Sequence, residues 1–172
     1  MKALTLTQPW ATLVAIGAKK IETRSWNTAY RGQLAIHAAA GKYVDDYLLM
    51  KIDPFYSALR KAGIESRLQI PLGGIIATCE LVHVARIYAD TNIPGKPELM
   101  FGDYSVGRYM WFLENVVALP EPIAAKGALS LWEWGGRTQL APDAGDSAAS
   151  SELVQASALS ISQTDPTPTQ RG

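Results

Sequence analysis

The placement of the aromatic residues constrains the fold of this chain more than any other feature of its sequence. The segment 138–172 contains no aromatic residue and is rich in Ala, Ser, Asp, Gln, Thr and Pro. Such a composition buries too little apolar surface to offset the entropy that is lost on ordering. The sequence therefore predicts one folded domain over residues 1–137, followed by a disordered tail over residues 138–172. All five tryptophans lie in the predicted domain: Trp10, Trp26, Trp111, Trp132 and Trp134.

Composition excludes several classes of protein. Cys79 is the one cysteine in the chain, so a disulfide framework within the monomer is excluded and a reducing compartment is expected. No apolar run approaches the ~20 residues that a membrane-spanning helix requires. The apolar segment 3–18 is interrupted by polar residues, and lysines follow where a signal peptide would have its cleavage site. We therefore expect a cytoplasmic protein with no membrane partner.

Charge is unevenly distributed, although the net charge of the chain is zero. Residues 1–45 hold six basic and two acidic side chains, a net charge of +4 that the remainder of the chain balances. A local basic excess is typical of a binding face for an anion, although chance gives the same pattern. A strongly basic coat for nucleic acid is excluded, so any contacts with phosphate are expected to be few and the affinity modest.

Hydrophobic periodicity and turn residues predict more strands than helices. A first helix is expected to begin at Pro9, capped by Thr7 or Gln8, and to end at Gly17. This pattern favours a mainly β member of the α+β class, a small β-barrel with flanking helices. The predicted strands are Ala3–Thr7, Lys20–Trp26, Gly32–Ala38, Gly73–Tyr88 (bent, or divided in two), Tyr109–Leu119 and Leu129–Trp134; two further helices are predicted over Val44–Leu49 and Phe55–Ala62.

The segment Gly17–Arg24 carries the most informative pattern of charges. Alternate residues of a strand share a face, so Glu22 and Arg24 are expected to point the same way, with Lys19 at the preceding turn. A carboxylate beside an arginine, with a lysine at the rim, offers donors and acceptors to a base edge or a phosphate. A solvated strand face with an ordinary ion pair explains the same spacing.

The same segment resembles the G-x-K-x-x-E-x-R signature of the ASCH family through Gly17, Lys19, Glu22 and Arg24. The opening Leu4–Ala11, with its Gln-Pro-Trp, resembles the strand and helix that begin the coactivator-like branch of this family. The resemblance covers most of residues 1–137 and none of the tail. Further similar segments are Ser25-Trp26, Tyr30–Gly32, Leu34–Ala38, Gly74–Ala77, Cys79–Val82, Trp111–Val117 and Lys126-Gly127.

The resemblance implies a PUA-like barrel whose cleft is bounded by the helix after the first strand. It implies binding of RNA or of a nucleotide, with Lys19, Glu22 and Arg24 lining the cleft and Gln8 and Trp10 beside it. Aromatic planes next to basic residues suit stacking on unpaired bases, while burial in the core explains Trp10 equally well.

Some relatives are enzymes, and this supplies an alternative function. One branch deacetylates a modified cytidine with a lysine and a threonine of this segment; Lys19 matches the lysine, but Glu22 occupies the threonine position. Lys19 and Glu22 are also a candidate acid–base pair for RNA cleavage. A third hypothesis is a protein-interaction domain with a vestigial cleft and a tail that recruits partners. The sequence does not decide the oligomeric state.

Glu80 is unusual because it interrupts an otherwise apolar predicted strand. A buried carboxylate needs a partner, and Arg24 or Lys19 is the expected one, which would add Glu80 to the cleft. An outward-facing glutamate is the alternative.

No metal or other cofactor is expected. Cys79 and His83 share a strand face, but Cα atoms four strand residues apart are separated by ~13 Å, too far to bind one ion without a bend. His37 is expected to be a satisfied barrel histidine or part of a pocket wall.

Overall fold

Six strands form one mixed sheet that curls into a half-barrel in the computed structural model, which describes residues 1–41 and 48–136. The fold is mainly β, as the sequence predicts. The strands are β1 (Lys2–Leu6), β2 (Ile21–Arg24), β3 (Gly32–Ala38), β4 (Gly74–Arg86), β5 (Tyr109–Ala124) and β6 (Leu131–Glu133).

The order of the strands across the sheet is β2-β5-β4-β3-β1-β6. β1 pairs with β3 in parallel, and the other neighbours are antiparallel. The β4–β5 register shifts at three places and the β3–β4 register at one. Bulges of this kind bend strands and increase their twist, so they account for the curl that brings β2 towards β1.

Short helices accompany the sheet; those whose bounds lie wholly within the described residues are α1 (Trp10–Ala15), α2 (Phe55–Lys61) and the 3₁₀ helices Arg67–Gln69 and Glu98–Phe101. The N-cap position of α1 is occupied by Pro9, not by Thr7 or Gln8 as predicted, but the Gln8 side chain accepts a hydrogen bond from the Thr12 amide of the first turn at 3.1 Å. Gly17, at φ +72°, ends that helix in the left-handed conformation that glycine tolerates. Across the described residues, no helix combines the length and the apolar character needed to cross a membrane.

Helix α1 buries two sides. Ala11 and Val14 pack with the strands in the main core, together with Leu4 and Trp111. Leu13 packs instead into a second cluster. The other buried members of that cluster are Phe55, Leu59, Ile70 and Phe101. This second cluster fixes the Glu98–Phe101 helix beside α1, and so positions one wall of the candidate site.

The predicted strands are confirmed, with differences at their ends. β5 runs to Ala124, five residues beyond the predicted end at Leu119. Pro120 and Pro122 cannot donate to a sheet, but they fall where the β4–β5 register shifts between Ala118 and Ile123 and fewer amides are needed for pairing. The β4 segment is one strand with bulges.

Two predictions fall outside the described residues. The predicted helix over Val44–Leu49 lies mostly on residues 42–47, and the predicted tail lies on residues 138–172. The boundary of the folded domain at residue 137 therefore stays a prediction.

Candidate functional site

A cavity of about 440 Å³ opens between β1, the start of α1, β2 and the segment Met100–Asp103. We call it the cleft. Its volume is within the range of ligand pockets in proteins. The residues that line it are Thr5, Leu6, Thr7, Trp10, Glu22, Thr23, Arg24, Met100, Phe101, Gly102 and Asp103.

Arg24 joins the two sides of the cleft. Its Nη2 donates a hydrogen bond to the Thr5 carbonyl at 2.9 Å, which links β2 to β1 across the curl of the sheet. Its Nε lies 3.2 Å from Glu22 Oε1, an ion-pair distance without the alignment of a hydrogen bond. Within the described part of the chain, Nη1 has no hydrogen-bond partner, so it remains able to donate to a ligand.

Glu22 lies on the cleft wall between two cations. Its Oε1 faces Arg24, and its Oε2 is 3.5 Å from the Lys19 Nζ. The contact between Glu22 and Arg24 confirms that strand alternation places both side chains on one face. Glu22 as a whole is 8% exposed, and its carboxylate keeps lone pairs that can accept hydrogen bonds from a ligand.

Lys19 is completely buried, which differs from the predicted position at the rim. Its Nζ donates to the carbonyls of Ile21 and Phe101 at 2.6 and 2.8 Å and lies beside Glu22. These three contacts use the three donors of an ammonium group. Lys19 does not line the cleft. From the protein interior, it contacts Phe101 and Glu22, which do line it.

Burial also changes the acid–base character of Lys19. Desolvation lowers the pKa of Lys19, and the nearby carboxylates of Glu22 and Glu98 oppose that change. Lys19 is therefore a buried cation that lies near two anionic carboxylates, those of Glu22 and Glu98.

Glu98 is a residue of this site that the sequence analysis missed. Its two carboxylate oxygens accept hydrogen bonds from the amides of Lys20 and Ile21 at 2.9 and 3.0 Å. The contact fastens the Glu98–Phe101 helix to the start of β2. It joins residues 77 and 78 positions apart, and local periodicity carries no information about such a pairing.

Thr23 and Asp103 complete the far wall. Strand alternation places Thr23 opposite Glu22 and Arg24, yet Thr23 also borders the cavity, together with the Met100–Asp103 segment. Its hydroxyl accepts a hydrogen bond from the Asp103 amide at 3.0 Å. Hydrogen bonds from the Ser105 hydroxyl and amide lower the pKa of Asp103, and Arg108 adds to this.

The two predicted residues of the Gln-Pro-Trp opening have different positions. Trp10 borders the cleft, with its ring edge-on to Phe55 at a centroid distance of 6.1 Å. Gln8 is buried and does not line the cavity, because its side chain is used by the Thr12 amide and the Pro71 carbonyl. Its contacts join the first turn of α1 to the segment before β4.

Glu80 is not part of the cleft. The expected partner, Arg24 or Lys19, is wrong, because the Glu80 Oε2 accepts a hydrogen bond from Asn115 Nδ2 at 3.0 Å. Glu80 lies in the interior of β4, where it is opposite Gln33 on β3 and Glu114 on β5. Asn115 of the neighbouring strand β5 therefore supplies the partner, and Glu80 is only half-buried.

The three residues considered as metal ligands in the sequence are His37, Cys79 and His83. They do not line the cleft. In the part of the chain that the structure covers, no group of three or more His, Cys, Asp or Glu residues is placed to hold a metal ion. Burial raises the pKa of the Cys79 thiol to about 12, which keeps it protonated and unsuited to metal ligation or nucleophilic attack.

Comparison with known proteins identifies the relatives of this chain. The sequence profile described as the ASCH domain matches residues 4–121. Activating signal cointegrator 1 of Mus musculus is 35% identical over 79 residues, and that of Homo sapiens is 34% identical over the same length. Each match covers 46% of this chain and 13% of the relative, so the chain spans a small part of the length of these curated relatives.

Proposed function

Because the chain belongs to the ASCH domain family, of PUA-like fold, we propose that it is an RNA-binding module whose cleft holds an unpaired base. The observation that carries this proposal is the Glu22–Arg24 pair, which places an acceptor and a free donor side by side on one wall. Every base has a donor and an acceptor next to each other on its Watson–Crick edge, and proteins read single-stranded RNA through such edges.

The charges of the cleft favour a base over a phosphate. Among the described residues that line it, Arg24 is the basic one, while Glu22 and Asp103 are acidic. Lys19 offsets the charge of Glu22 from the protein interior, but its donors are occupied by protein groups and cannot contact a ligand. A phosphate would meet two carboxylates at this wall, whereas a neutral base would use both signs of charge.

Trp10 supplies the surface for stacking. It is half-buried and borders the cleft, and its edge-on contact with Phe55 fixes the ring plane. Stacking of a base on an aromatic side chain contributes about 1–3 kcal/mol. The hydrogen bonds of Glu22 and Arg24 would then select the edge of the base that Trp10 holds.

The test is the binding of a fluorescently labelled single-stranded RNA, measured by anisotropy. Arg24→Ala and Glu22→Gln should each weaken binding about 10-fold or more, as expected when a charged hydrogen-bonding group is lost. Arg60→Ala is the matched control, since it removes the same charge from an exposed residue of α2 that does not line the cleft. Equal affinities for all four proteins would reject the proposal and favour a protein-interaction domain. The same series on single-stranded DNA measures the preference for RNA.

A second candidate function is hydrolysis of a modified nucleoside or of RNA. Its support is the burial-lowered pKa of Lys19 beside a carboxylate, because perturbed groups of this kind are concentrated at catalytic sites. Against it, the Lys19 donors are occupied and the residue does not border the cavity. Incubation with N4-acetylcytidine and with RNA, followed by mass spectrometry, decides between the two. Product formation that Lys19→Ala abolishes would establish the enzyme, and saturable binding without product would support the binding module.

A further inference from the structure

A second cavity, of about 340 Å³, lies next to Thr5 at the end of β1 and β3. Its walls are formed by the end of β3 and by the segment that joins β5 to β6, through small residues and one lysine, Lys126. Thr5 lines both cavities. Its carbonyl accepts from Arg24 in the cleft, and its hydroxyl accepts from Trp132 Nε1 at 3.1 Å beside the second cavity.

His37 gives this second cavity a buried polar atom without a partner. The residue is 1% exposed, and its Nε2 lies 3.0 Å from the Ala125 carbonyl. A carbonyl only accepts, so Nε2 carries the proton and Nδ1 of the neutral ring is an acceptor. The structure gives Nδ1 no hydrogen-bond partner among the residues that it describes. A buried acceptor left unpaired costs free energy that a ligand with an N–H donor would recover.

Gly127 shows that two polar atoms converge at the edge of this cavity. A Cβ built on Gly127 would stand 2.7 Å from His37 Nδ1 and 2.9 Å from Thr5 Oγ1. Both atoms therefore lie close beside the Gly127 backbone at the edge of the cavity, one as an acceptor and the other as a hydroxyl whose proton is available to donate. Any side chain at position 127 would meet the imidazole ring at 2.5 Å and obstruct that region.

We propose that the second cavity is a subsite for a nucleobase, read by His37 Nδ1 and Thr5 Oγ1. An acceptor and a donor close together match the adjacent donor and acceptor of a base edge, and the alanine walls can lie against its flat faces. The volume is at the lower end of the range for ligand sites, which suits a single base. Lys126 lies where it can contact a phosphate. If the base belongs to the RNA strand bound in the cleft, this inference rests on the proposed function. A free nucleobase would present the same donor and acceptor to the second cavity.

The experiment follows the imidazole nitrogens of His37 by NMR during titration with oligouridylates, from the mononucleotide to roughly six nucleotides. The chain has two histidines, and exposed His83 serves as the internal control. We expect the mononucleotide to fill the cleft first, and longer strands to shift the Nδ1 resonance of His37 while His83 stays unchanged. The second base should raise affinity about fivefold, the contribution of one net hydrogen bond.

Ala128→Phe supplies a variant that is expected to fold, because Ala128 is an exposed residue of the second cavity wall. This variant should leave the affinity for the mononucleotide unchanged, and it should remove the gain in affinity that a longer oligouridylate gives. Ala89→Phe, at an exposed position outside both cavities, is the matched control. An unmoved His37 resonance at saturation, with the same gain in both variants, would overturn the subsite.

Failure of the cleft itself has a different signature. In that case no strand binds, or Arg24→Ala binds every strand as the parent protein does. A His37 shift on adding uridine to the Arg24→Ala protein would support the subsite and identify a free nucleobase as its source.

Discussion

At the scale of the residue, the burial of Lys19 determines which residues of the signature line the cleft. The signature places this lysine next to Glu22 and Arg24 in sequence, which suggests three exposed side chains acting together. The fold instead buries Lys19 and uses its donors on two carbonyls and Glu22. Glu22 and Arg24 remain at the cleft surface, so the signature divides into one supporting residue and two residues that line the cleft.

This division predicts the effect of Lys19→Met on stability and its dependence on pH. Removing one member of a buried ion pair costs about 3–5 kcal/mol, so the free energy of unfolding should fall by about that amount at pH 7. Since burial lowers the pKa of Lys19 in the folded state, the unfolded chain binds more protons between that lowered value and 10.5. The stability of the parent protein relative to Lys19→Met should therefore increase as pH rises towards 10.

Urea unfolding of both proteins from pH 7 to about pH 10 measures this difference. A gap between the two proteins that stays constant with pH would show that the pKa of Lys19 is the same in the folded and unfolded states.

At the scale of the element, the Glu98–Phe101 helix borders the cleft and lies outside the sheet. Glu98 holds it to β2 through two amides, and the Phe101 carbonyl holds it to Lys19. Phe101 also packs into the second cluster beside α1. One wall of the cleft is thus fixed by a few contacts of very long sequence separation.

Glu98→Ala should loosen this wall. Loss of a charged acceptor from two amides costs about 1–3 kcal/mol, so the amides of Lys20 and Ile21 should exchange with deuterium at least several-fold faster. RNA affinity should fall as well, because the Met100–Asp103 wall is no longer held in place. Glu65→Ala, which breaks an exposed ion pair with Arg60, is the control and should change neither quantity. Unchanged exchange at Lys20 and Ile21 would show that Glu98 is not the anchor.

Much of the sheet follows from the sequence, because strands with β-branched residues and glycine or proline at their ends are locally encoded. Gly17 and Gln8 likewise determine the ends of α1 through local geometry. The pairing of Glu22 with Arg24 follows from the period of a strand. Glu98, Thr5 and Asp103 could not be predicted, because their contacts depend on how the sheet curls.

At the scale of the whole molecule, the curl of one sheet leaves two cavities that share Thr5 of β1. Arg24 closes the curl on one side by its bond to Thr5, and the segment from β5 to β6 closes the other through His37 and Ala125. The basic excess in the first 45 residues does not become a basic surface at the cleft, since Lys19 is buried and neighbours Glu22. The fold therefore presents a site of mixed charge, suited to a base.

The central claim is that a base occupies the cleft between Trp10 and the Glu22–Arg24 pair. Its most direct test is an NMR titration of the labelled protein with a short single-stranded RNA, following the tryptophan indole N–H and arginine Nε–H resonances together. We predict that the Trp10 indole and the Arg24 Nε–H shift in parallel and saturate at one equivalent, while the core Trp111 indole stays in place. Saturable binding that leaves Trp10 and Arg24 unmoved, with shifts elsewhere on the surface, would contradict the account.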